Sequence, residues 1–76
     1  MNVIKELIDG ITEDLIKYLC EEENYKLEDA METVYNSIVF EKLTDAETGI
    51  YRESASYVYE LLKDEIASGK IIQKEE

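Results

Sequence analysis

The sequence predicts an all-α protein, a small bundle of three main helices forming one domain. Three observations carry that prediction. Apolar residues recur at three-and-four spacing along most of the chain. Helix breakers are almost absent, with no Pro and three Gly. A 45% apolar fraction beside 36% charged residues is enough to fold rather than stay disordered. The 76 residues make a single domain over 1–76, and a chain this short buries only about 60% of its unfolded surface, so its core is thin.

The first helix is expected over residues 2–23, where Ile4, Leu7, Ile8, Ile11, Leu15 and Leu19 lay one stripe. Gly10 lies at the edge of this stripe, and Thr12 can cap a restart, so a kink or break near Gly10 is open. Glu21-Glu22-Glu23 puts like charge at the negative end of the helix dipole, and Asn24-Tyr25 reads as the stop. The second helix is expected over 27–43, opening on Leu27-Glu28-Asp29, with a face of Leu27, Ala30, Met31, Val34, Tyr35 and Ile38. Asn36-Ser37 can sit inside one long helix or break it. The break is preferred, with Ser37 capping a short helix that carries Phe40 and Leu43.

Thr44 to Gly49 reads as a loop, in which Asp and Thr bond local backbone and Gly49 takes positive φ. Ile50-Tyr51 is expected to run extended. Ser54 then caps a third helix over 54–68 with Ala55, Val58, Leu61, Leu62 and Ile66 inward. Gly69 closes this helix, and 70–76 form a frayed tail in which Ile71 and Ile72 are the only anchors. The expected core is Leu7, Ile11, Leu15, Leu19, Val34, Ile38, Leu43, Val58, Leu62 and Ile66.

The formal charge of −11 comes from 19 acids against 8 bases, and phosphate backbones and anionic lipid surfaces repel such a chain. Direct nucleic-acid binding is therefore not expected, whereas a protein partner, a basic one included, is compatible. The N-terminus has no basic leader followed by an apolar run, and no segment approaches the ~20 apolar residues of a membrane span. One cysteine, Cys20, makes no internal disulfide, which fits a reducing compartment, so the expected location is cytoplasmic.

Catalysis usually requires a nucleophile beside a base, paired carboxylates or a metal in a dry cleft. With no His and little mass to enclose a cleft, no catalytic residue is assigned and a noncatalytic role is expected. Asp45-x-Glu47-x-Gly49 fails as a calcium loop, since neither the glycine position nor the final glutamate matches and Ser56 stands where that glutamate belongs. Glu21, Glu22 and Glu23 read as a solvated charge run, so no metal and no cofactor is expected. Of six tyrosines, Tyr51, Tyr57 and Tyr59 surround one loop-to-helix junction, more than a thin core can bury, and are the candidate partner-binding residues. The broad apolar arc from Val3 through Ile16 and Leu19, together with Ile71 and Ile72, predicts a weak homodimer.

Two resemblances bear on function. Residues 33–65, particularly Asp45-x-x-Thr48-Gly49-Ile50-Tyr51 and Ser54-x-x-Tyr57-Val58-Tyr59-x-Leu61-Leu62, resemble a group of short acidic bacterial helical proteins of unknown function. The likeness covers under half the chain and implies no activity; some such proteins lie near toxin-type genes, which implies an antitoxin-like partner role. Asn36-Ser37-Ile38 is similar to the Asp-Ser-Leu of acyl carrier proteins, which are also short, acidic and helical. That likeness makes Ser37 the attachment residue of an alternative reading, an acyl or peptidyl carrier-like domain. The sequence departs from it, because Asn36 replaces the Asp, the preceding Gly is missing, and Ser37 follows a helix rather than a long loop.

Overall fold

A computed structural model describes residues 3–68. They form four α-helices, α1 (Val3–Glu22), α2 (Leu27–Tyr35), α3 (Ile38–Leu43) and α4 (Ala55–Ser68), with single 3-10 turns at Ala46–Thr48 and Ile50–Arg52 between the last two. No strand occurs among the described residues, and the all-α bundle is the one expected. Gly69 and the tail with Ile71 and Ile72 lie outside the described residues.

α1 runs unbroken through Gly10, and Thr12 is buried with its hydroxyl donating to the Ile8 carbonyl at 2.7 Å instead of capping a restart. Beyond its chain neighbours and the adjoining helix backbone, a Cβ at Gly10 would meet no atom of the described residues within 4 Å. Gly10→Ala is therefore expected to raise stability by about 0.5 to 1 kcal/mol, by removing unfolded-state freedom at no steric cost. An unchanged or lower thermal midpoint is the contrary result.

Asn24 stops α1 in the left-handed region, at φ 62°. Asparagine tolerates that region better than most residues, and there the Tyr25 amide turns back to the Leu19 carbonyl at 3.1 Å. α2 then returns along the second half of α1, placing Leu27 near Cys20 and Glu21 and Tyr35 near Glu13. α4 covers another side of α1, with Tyr18 against Tyr59 at 4.8 Å between ring centroids.

The break between α2 and α3 is the preferred one. Asn36 closes α2, its side-chain amide donating to the Glu32 carbonyl at 2.9 Å, and Ser37 opens α3, its hydroxyl accepting from the Phe40 amide at 2.9 Å. Ser54 likewise takes the Tyr57 amide at 3.1 Å, and Asp45 takes the Glu47 amide at 3.0 Å. Gly49 has φ 71°, a conformation that a side chain would strain. Ile50-Tyr51, expected to run extended, instead turns in 3-10 geometry: the Arg52 and Glu53 amides bond the Gly49 and Ile50 carbonyls at 3.0 and 2.9 Å. This tight turn tucks Ile50 and Tyr51 against the core.

The core consists of Ile11, Leu15, Leu19, Ala30, Val34, Val39, Leu43, Val58, Tyr59 and Leu62, with Ile66 packed at its margin. Two expected members are outside it. Leu7 is 45% exposed, because the nine-residue α2 covers only the second half of the twenty-residue α1. Ile38 is 43% exposed, because restarting the helix at Ser37 resets its phase and turns Val39 and Leu43 inward instead.

Glu65 of α4 occupies a core position, and its two carboxylate oxygens accept the Ile38 and Val39 amides at 2.7 and 3.0 Å. With Ser37 on the Phe40 amide, the first three amides of α3 all have side-chain acceptors. A six-residue helix is too short to hold itself; this acid and Ser37 hold its open end against α4.

Candidate functional site

The tyrosines singled out in the sequence do not form one surface. Tyr57 is 49% exposed on α4, Tyr51 is half-buried against the core with the Arg52 guanidinium 5.8 Å from its ring centroid, and Tyr59 is 4% exposed. Positions 57 and 59 differ by two residues on one helix and so face away from each other. Tyr59 is a core residue, a correction to its reading as partner-binding. Burial pushes its phenol above the ordinary tyrosine range, helped by the nearby Glu22, Glu23 and Glu60 charges. Its hydroxyl meets no hydrogen-bond partner among the described residues, so Tyr59→Phe is expected to leave stability unchanged or raise it by up to about 1 kcal/mol. A loss of that size in urea denaturation would instead mean that the hydroxyl is used.

Ser37, the attachment residue of the carrier alternative, is 4% exposed, and its hydroxyl is engaged twice. It donates to the Val34 carbonyl at 2.6 Å and accepts the Phe40 amide at 2.9 Å. Loading an arm onto that oxygen requires opening the α2–α3 junction, so the serine is a helix cap in place and chemistry.

The surface that stands out lies between α1 and α2. Leu27, Met31 and Tyr35, three successive turns of α2, are 60%, 38% and 48% exposed, and with half-buried Ile16 and Cys20 of α1 they line an open groove of about 530 Å³. Glu13, Lys17 and Glu21 of α1 edge it. Tyr35 closes one end, its ring edge-on to Phe40 at 5.1 Å. Among the described residues the ion pairs found are Lys5–Asp9 at 2.8 Å and Lys63–Glu60 at 3.7 Å, so neither groove glutamate is neutralised by such a pair.

Apolar periodicity puts Leu27, Met31 and Tyr35 on the inward face of α2, whereas the fold leaves all three exposed along the groove. The apolar residues of α2 form two adjacent stripes, Ala30 and Val34, which are buried, and Leu27, Met31 and Tyr35, which are not. The width of that arc was the available signal, since a nine-residue helix in a thin bundle packs one stripe, not two.

Among the described residues no three His, Cys, Asp or Glu side chains gather as a metal site, and no helix is long and apolar enough to cross a membrane. No protein-family model, curated protein sequence or solved structure matches the chain.

Proposed function

We propose that this chain is a noncatalytic, acidic helical module of the cytoplasm that works by binding a protein partner, in an antitoxin-like or regulatory role. The supporting observation is the α1–α2 groove, in which three large apolar side chains of a chain with formal charge −11 stand at the surface on consecutive turns. Scattered exposed apolar residues are ordinary, whereas a contiguous apolar strip with a charged edge is the usual mark of an interaction surface. Weak self-association belongs to the same reading, through Val3, Ile4 and Leu7, which are 60%, 38% and 45% exposed on the first turns of α1. The carrier alternative draws less support, because the Ser37 hydroxyl is committed to its cap.

Affinity capture from native lysate with the wild-type chain and with the double variant Leu27→Glu/Met31→Glu tests this reading. A protein recovered by the wild type and lost by the variant is the expected result, together with an unmodified intact mass after expression beside a phosphopantetheinyl transferase. Equal recovery by both chains, or a pantetheine adduct on Ser37, counts against it.

A further inference from the structure

We infer that the occupant of the α1–α2 groove is an amphipathic helix of a protein partner, whose apolar stripe covers Ile16, Cys20, Leu27 and Met31 and whose basic side chains meet Glu13 and Glu21. This rests on the binding-module reading and names the class of partner.

The shape of the groove selects a helix. Leu27 to Tyr35 spans two helical turns, about 12 Å at the rise of an α-helix, and the opposite wall is again helix, with Ile16 and Cys20 one turn apart. Two helical walls with apolar side chains at four-residue spacing accept the ridge of a third helix. An added strand has nothing to pair with, because no sheet edge exists among the described residues. A proline-rich segment needs an aromatic-lined groove, and Tyr35 is the one aromatic ring lining this one.

Charge selects the sign of the partner. Glu13 and Glu21 are eight positions apart on α1, again about 12 Å, so Lys or Arg side chains seven or eight residues apart on an incoming helix can reach both. Lys17 stands between them, and its charge excludes a third basic residue from the centre. The expected partner sequence is thus basic at both ends of its rim and neutral or acidic midway, beside apolar residues at every third and fourth position. A second copy of this chain does not fit that pattern. The exposed apolar turn of α1 brings Glu6 and Asp9 with it, and its Lys5 already pairs with Asp9. A nucleic acid or an anionic membrane is repelled by the whole chain.

The test uses the intact chain and designed peptides of roughly 18 residues, long enough to hold a helix. One peptide carries a leucine stripe with lysines at the two rim positions; a second has the same composition scrambled; a third keeps the stripe with glutamate for lysine. Cys20 is the only cysteine and lines the groove, so the rate of its alkylation reports occupancy directly. The expected result is that the first peptide alone slows alkylation, and that Leu27→Glu/Met31→Glu weakens its binding about tenfold or more. Those substitutions make the chain still more acidic, so pure charge attraction predicts the opposite sign. Equal protection by the scrambled or the acidic peptide overturns the inference, as does protection without peptide that grows with protein concentration, which would seat a second copy in the groove. Capture of a lysate protein through Leu27 and Met31 with no protection by any peptide overturns the basic-helix assignment and leaves the binding module standing; loss of both removes the two together.

Discussion

Glu65→Ala is expected to lower stability by about 2 to 5 kcal/mol, a large part of the roughly 4 to 11 kcal/mol available to a chain of 76 residues. The substitution does more than delete a side chain. It leaves the amides of Ile38 and Val39 without the oxygens they bond at 2.7 and 3.0 Å, and orphaned donors at a packed helix end cost about 1 to 3 kcal/mol each. The damage should be local first, with hydrogen exchange accelerating at Ile38 and Val39 before it does in α1. Glu65→Gln is expected to recover only part of the loss, because an amide offers one acceptor oxygen and sets its own N–H against the other donor. Glu60 on the same helix is the control: its side chain is 68% exposed and lies 3.7 Å from Lys63, and removing such a surface acid should cost no more than about 0.5 kcal/mol. If Glu65→Ala and Glu60→Ala fall together in urea denaturation, the carboxylate does not hold α3.

Combined with Ser37→Ala, the same substitution should show coupling. Ser37 and Glu65 serve neighbouring amides of one six-residue helix, so losing either lets α3 fray and reduces what the other still holds. Such shared partners are where additivity fails.

Local chemistry was readable in the sequence wherever a side chain acts on its own neighbourhood. Ser37, Ser54 and Asp45 each serve an amide two or three residues on, and Gly49 turns left-handed where a loop must reverse. These devices need no tertiary structure, and their positions could be taken directly from the chain. Glu65 is the opposite case. Its partners lie 26 and 27 residues earlier, and the only trace in the sequence is an acid three residues after Leu62 on the stripe that begins at Val58. An acid on a core stripe points to a buried acceptor without saying whose amides it takes.

Burial was legible in part, for a geometric reason. Periodicity identifies the apolar side of a helix but not the length of the neighbour that covers it. Leu7 lies on the same stripe as Leu15 yet extends past the end of α2, and Leu27, Met31 and Tyr35 share a helix with Ala30 and Val34 yet face outward. The groove therefore became visible only once helix lengths and packing angles were set, whereas the tyrosines drew notice by number and dispersed when folded.

A leucine series along α1 carries the second large effect. Leu15 is fully buried against the core, so Leu15→Ala is expected to cost about 2 to 5 kcal/mol through lost transfer energy and the cavity left behind. At about 4 to 8 °C per kcal/mol for a domain of this size, even the lower bound moves the thermal midpoint by roughly 8 °C, and the upper one leaves little folded protein. Leu62→Ala, fully buried on α4, should behave alike. Leu7→Ala, two turns before Leu15 on the same helix, removes the same atoms from a site that is 45% exposed, and since Ala is the better helix former its net cost should stay under about 1 kcal/mol. The contrast between Leu7 and Leu15 separates packing from hydrophobicity as such. Equal costs at the two positions, growing with protein concentration, would mean that a second copy covers the first turns of α1 in solution; equal costs independent of concentration would mean that α1 does not outrun its neighbours as described.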